Sequence, residues 1–148
     1  MKAKFNYKNI HSCKAVVLTC IDFRFWREAL EFIGKELKIK YFDFPSLPGS
    51  AKAINECIDK NDLAMKCISV PCELHHVEKI VIVNHEDCGA YGGSSKFNGD
   101  SEAERKFHEA ELKKAKAKIS EKFPGKVVIL AYAKLADNKE NIEFLPVN

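Results

Sequence analysis

The stretch "KIVIVNHEDCG", residues 79–89, decides how the rest of the chain is read. Its first half is an unbroken apolar run of β-branched residues, the pattern of a strand covered on both faces in a parallel sheet. Its second half turns polar at once and sets His85 and Cys88 three residues apart, where the strand must stop. Such a pair can be two ligands to one metal ion, or two unrelated polar residues in a loop. The spacing alone leaves both readings open.

Two further runs of the same kind flank it. "KAVVLTC" (14–20) and "KVVILAYA" (126–133) read as buried strands, and "IKYFDF" (39–44) as another, stopped by the turn-rich "PSLPGS". Between them the spacing becomes helical. Trp26, Leu30, Ile33 and Leu37 recur at steps of four, three and four, and predict one face of a helix. A helical region follows from about Ser50 to Val77, striped by Leu63, Cys67, Val70, Leu74 and Val77, with Pro71 expected to kink or restart it. Ser101 and Glu104 predict a capping box for a helix to about Lys122, which Pro124-Gly125 closes. "NIEFLPVN" (141–148) predicts an edge strand. Strands alternating with helices imply one α/β domain over residues 1–148, with a central, mostly parallel sheet of four or five strands flanked by helices.

Composition narrows the function classes. The chain has 148 residues, 46% hydrophobic and 30% charged, as in an ordinary globular protein with a real core. No apolar run reaches the roughly 18 residues of a membrane span, and the start lacks the apolar stretch of a secretory signal. The expectation is a cytoplasmic protein without a membrane partner. A net charge of +3, with "KKAKAK" (113–118) on a helix beside acidic neighbours, predicts a solvated face and no nucleic-acid partner. Six cysteines without a C-x-x-C pair or secretion signal predict reduced thiols. Cys57, Cys67 and Cys72 share their segment with apolar residues and are assigned to packing. His108 falls in one stripe with Leu112, Ala115 and Ile119 and is assigned to the core.

In open parallel sheets, sites form beyond the carboxyl ends of the strands, where strand order reverses. If the strands at 14–20 and 79–84 are neighbours, Cys20, His85 and Cys88 converge. Two thiolates and an imidazole suit zinc, and three protein ligands leave its fourth tetrahedral position open. In an extended "CIDFR" (20–24), Cys20, Asp22 and Arg24 share one side of the strand end. Asp22 can then orient a water on the metal, while Arg24 keeps the carboxylate from taking the open position itself. Tyr91 and Phe23 flank these residues and can line a small apolar pocket.

"CIDFR" followed by "HEDCG" resembles the C-x-D-x-R … H-x-x-C-G pair of the β-class carbonic anhydrases, and the strand–helix order from about residue 12 to 133 agrees with that family's α/β core. The resemblance implies Cys20, His85 and Cys88 as zinc ligands, Asp22 and Arg24 as the catalytic dyad, and Gly89 where backbone passes close to the metal. The reaction implied is reversible hydration of carbon dioxide to bicarbonate by a zinc-bound hydroxide, with a homodimer as the expected assembly. With two thiolates the metal is a poorer Lewis acid than in a three-histidine site, so activity is expected to rise toward alkaline pH. The chain departs from the pattern in having no glutamine and in its loop at 45–52, "PSLPGSAK", where Gly49 is expected to serve in place of the family's own loop. These departures strike the substrate pocket and spare the metal. The alternatives are a zinc hydrolase of carbonyl sulfide or carbon disulfide, or a non-catalytic zinc domain in which Asp22 closes the site.

Overall fold

The apolar runs become the centre of one sheet. The computed structural model describes residues 1–148. Its elements run β1 (Ala15–Leu18), α1 (Trp26–Lys35), β2 (Phe42–Asp43), α2 (Ala51–Glu56), α3 (Leu63–Leu74), β3 (Lys79–His85), α4 (Ser101–Lys122), β4 (Val127–Ala136) and β5 (Asn141–Val147). Strand order is β2-β1-β3-β4-β5, parallel throughout except for the antiparallel β5 edge. The α/β class and the edge strand at the tail are as the sequence predicts.

Alternation along the central strands sends side chains into two cores, which is why their sequences are apolar at every position. On one face Val16, Leu18, Ile80, Ile82, Leu130 and Tyr132 pack with Ile54 of α2, Met65 and Ile68 of α3, and Leu112, Ala115 and Ile119 of α4. On the other, Val17, Val81, Val83, Ala131 and Ala133 pack with Phe25 and with Ile33 of α1. The result is a helix–sheet–helix sandwich. From β1 the chain goes to β2 on one side and then returns to β3 on the other. The switch point of strand order therefore lies between β1 and β3, where ligands bind in open α/β sheets.

Several elements differ from expectation for identifiable reasons. The strand expected over 39–44 is only Phe42–Asp43, paired with Ala15 and Val16, because as an edge it has one neighbour and leaves the sheet quickly. The helical region over 50–77 is two helices separated by 57–62, with Asp62 capping the second by accepting from the Ala64 N–H. Pro71 neither ends nor restarts α3; it sits in the last turn, where its missing N–H costs one helical bond. The capping box is replaced by Asp100, which accepts from the Glu102 and Ala103 N–H groups. On α1 the buried line is Ala29 and Ile33, whereas Trp26 and Leu30 stay 46% and 37% exposed. Ile33 of the expected stripe is thus buried, and Leu37 packs against the same core.

Candidate metal centre

β1 and β3 are hydrogen-bonded neighbours in register Ala15–Lys79 through Leu18–Ile82, so their carboxyl ends lie side by side. Cys20 follows β1 after Thr19, His85 is the last residue of β3, and Cys88 lies three residues on. Their ligand atoms all fall within 4.8 Å of one another. The two Sγ atoms are 3.8 Å apart. A disulfide needs about 2.05 Å. Two thiolates on one tetrahedral zinc, each at about 2.3 Å, stand about 3.8 Å apart.

Each donor is fixed by its surroundings. The His85 Nδ1–H donates to the Glu86 carbonyl at 2.8 Å, which assigns the lone pair to Nε2. Nε2 is buried and has no hydrogen-bond partner. An orphaned imidazole nitrogen facing two thiols is what a metal would satisfy, so the residues present fit a zinc ion. The Phe25 ring lies against the imidazole at 4.1 Å between centroids and limits its rotation. The Gly49 N–H donates to Cys20 Sγ at 3.3 Å. Gly49 has φ +71°, and a Cβ there would come within 2.8 Å of Lys52 Cβ and 3.1 Å of Ala90 Cβ, so the 45–52 loop depends on that glycine. Gly89 differs: a Cβ there meets no protein atom within 4 Å, so packing does not require glycine.

The sulfurs share a proton unequally. Cys20 is held well below the ordinary thiol range, first by the hydrogen bond from Cys88, then by His85 and the N–H of Gly49. Cys88 is pushed up, first because its proton is committed to Cys20 and then by burial. A dication held by both sulfurs would displace the proton they share.

Asp22 and Arg24 come together, although not by strand alternation. Residues 22–25 form a turn, with the Phe25 N–H donating to the Asp22 carbonyl at 3.3 Å and the Arg24 N–H to Asp22 Oδ1 at 3.0 Å. The guanidinium then grips the same carboxylate, Nε to Oδ1 at 2.9 Å and Nη2 to Oδ2 at 2.6 Å. These bonds hold Asp22 below the usual carboxylate range. Asp22 Oδ2 stands 4.0 Å from His85 Nε2.

Three contributors escaped the sequence reading. Asp87 accepts from Arg24 Nη1 at 2.9 Å and from the Ser94 N–H at 3.1 Å, with a left-handed φ of 56°. Glu104 accepts from the Asp87 N–H at 2.7 Å while almost fully buried. Asn84 accepts from the Ala51 N–H at 3.1 Å and donates to His108 Nδ1 at 3.2 Å, joining α2 to α4 behind the centre. The available signal was an acid inside "HEDC" and an amide on an otherwise apolar strand. His108 is fully buried, as its stripe predicts. Phe23 is 82% exposed, whereas Tyr91 is buried and packs on His108. A small hollow of about 10 Å³, walled by Phe25, Trp26, Val83 and Phe144, reaches Cys20 and His85.

Residues 10–143 match the family model described as "Putative carbonic anhydrase". An uncharacterised protein of Rickettsia conorii is 34% identical over 125 residues, 79% of this chain and 65% of that protein. The chain thus spans slightly less than two thirds of that relative's length. An uncharacterised protein of Rickettsia bellii is 30% identical over 127 residues, 82% of this chain and 77% of that protein. By the extent of the family match, this chain belongs to that carbonic anhydrase-like family.

Proposed function

We propose that this chain holds one zinc ion on Cys20, His85 and Cys88 and catalyses the reversible hydration of carbon dioxide to bicarbonate. The observation that carries the reading is the 3.8 Å Sγ–Sγ separation beside the partnerless His85 Nε2. Three protein donors leave one tetrahedral position for a non-protein ligand, the arrangement of a catalytic zinc. When bound, zinc supplies Lewis acidity, which makes water nucleophilic near neutral pH.

The chain's own residues do the rest. The Glu86 carbonyl fixes the His85 tautomer, and the Phe25 ring fixes its plane. Asp22 stays ionised under the Arg24 guanidinium, so Oδ2 can accept a hydrogen bond from the attacking water and orient it. Arg24 is a positioning residue: it sets where the Asp22 oxygens point. The walls of the hollow beside Cys20 and His85 are apolar, and at about 10 Å³ it has room for about one water-sized molecule.

The test is stopped-flow hydration of carbon dioxide by zinc-loaded protein, against chelated protein and Asp22→Asn. The expected result is turnover that needs zinc and falls about 100-fold or more in the variant, the usual weight of a positioned proton acceptor. Turnover absent from fully zinc-loaded protein overturns the proposal. Carbonyl sulfide offered to the same preparation separates hydration from hydrolysis of a related molecule.

A further inference from the structure

At the other end of the sheet, three donors of different chemistry meet. Cys13 lies two residues before β1, Asp43 ends β2, and His75 caps the end of α3. Their ligand atoms also lie within 4.8 Å of one another. Cys13 Sγ is 3.5 Å from Asp43 Oδ2, and His75 Nδ1 is 2.7 Å from the same oxygen. We propose that Cys13, Asp43 and His75 form a second site for a borderline-soft divalent transition metal of the zinc class, separate from the centre at the carboxyl ends.

The geometry favours an ion over a catalytic triad. In a nucleophilic triad the imidazole stands between thiol and carboxylate and takes the thiol's proton. Here the carboxylate stands between, and it collects hydrogen bonds from both neighbours through one oxygen. Burial and the Asp43 charge push the Cys13 thiol up, the opposite of activation. Zinc bonds of about 2.3 Å to sulfur and about 2.0 Å to oxygen and nitrogen set tetrahedral edges of about 3.5 Å for S–O and about 3.3 Å for N–O. The first matches the observed separation, and the second requires the histidine to open by about 0.6 Å and give up its hydrogen bond to Asp43.

The donors are also held in place before any ion binds. The Cys13 N–H donates to the His75 carbonyl at 3.1 Å, and the Lys14 N–H to the Tyr41 carbonyl at 3.1 Å. These bonds pin three segments separated by about 30 residues in sequence. All three donors are half-buried and border a hollow of about 570 Å³ that Phe5, Ile10, His11 and Tyr41 also line. Solvent therefore reaches the site, and a fourth ligand can come from water. An ion here would tie the amino-terminal segment to β2 and to the α3–β3 turn. A thiolate in the set selects zinc-like ions over magnesium or calcium.

Full-length protein titrated with zinc and freed of excess by gel filtration is expected to retain two equivalents. Cys13→Ser and His75→Ala should each retain one. In a Cys20→Ser, Cys88→Ser background, cobalt is expected to give a thiolate-to-metal absorption band that Cys13→Ser abolishes. That background removes the first centre altogether, so failure of one site is distinguishable from failure of the other. His75→Ala replaces a side chain 43% exposed and carries the test if Cys13→Ser fails to fold. Zinc retention unchanged by both Cys13→Ser and His75→Ala, or no thiolate-to-cobalt band in the Cys20→Ser, Cys88→Ser background, overturns the proposal.

Discussion

Arg24→Ala tests whether the centre is held open or merely held together. Arg24 binds Asp22 through Nε at 2.9 Å, Nη2 at 2.6 Å and its own N–H at 3.0 Å, and it is itself anchored by Asp87 Oδ2 at 2.9 Å and the Asp87 carbonyl at 3.0 Å. Fully buried charged bonds of this kind contribute about 1.5–3 kcal/mol each. The Arg24 side chain is 41% exposed against 15% for Asp22, so solvent screening reduces the whole clamp to about 1–2 kcal/mol. That is a factor of about 5–30 in the ratio of clamped to free carboxylate. The residue-24 N–H stays on Asp22 Oδ1 in this variant, but Oδ2, released by the guanidinium, starts 4.0 Å from His85 Nε2 and can become a fourth protein donor. The expected outcome is zinc affinity unchanged or raised by about 5–30-fold, read by competition with a chromogenic chelator, with kcat lowered by a similar factor. Arg24→Lys, which keeps the charge but loses the planar fork, should fall between. If Arg24→Ala weakens zinc binding, the arginine supports the fold of the site and does not guard its open position; wild-type kcat in that variant refutes the clamp as well.

Two further changes probe the surroundings. Gly49→Ala places a Cβ 2.8 Å from Lys52 Cβ at φ +71° and disturbs the N–H that reaches Cys20 Sγ; destabilisation of about 1–3 kcal/mol in urea and a roughly tenfold loss of zinc affinity are expected. Burial lowers His108 from 6.5 to about 4, with His85 and Lys96 adding repulsion and outweighing Glu104 Oε1 at 3.8 Å. The unfolded chain then binds the extra proton between pH 6.5 and 4, so stability is full above about 6.5 and declines by about 3 kcal/mol as pH falls through that window. Urea midpoints in chelator for wild type and His108→Gln should converge on acidification by about that amount, and parallel pH profiles would refute the assignment.

The fold was legible where burial is two-sided. "VVL" and "IVIV" are apolar at every position because each strand faces one core through odd residues and the other through even ones. One-sided elements were harder. Phe42 and Asp43 pair with a single neighbour, so periodicity over 39–44 says little about where pairing stops. On α1, helical spacing marks Trp26, Leu30, Ile33 and Leu37 as one face. Ile33 is buried and Leu37 packs on the same core, but Ala29 turns inward while Trp26 and Leu30 stay largely exposed, so side-chain size overrated the first half of the stripe.

The candidate centre divides along the same physical boundary. Cys20 and His85 lie at strand ends that the pairing of β1 with β3 carries to one place, and Cys88 joins them through the turn at 86–88 that follows β3. What governs the fourth position is not set by topology. It depends on a turn at 22–25 that aims Asp22, on Arg24 reaching across to Asp87, and on Asp87 adopting φ 56° so that its N–H meets Glu104 from α4. None of these contacts leaves a periodic trace in the sequence. Glu104 looks like a helix-capping residue there, yet it is buried and spends one oxygen on the loop between two of the donors. Donor identity is therefore written at the strand ends, whereas the placing of Cys88 and access to the open position are both written in loop-to-helix contacts, so a change at Asp87 or Glu104 reaches a donor as well as the fourth position.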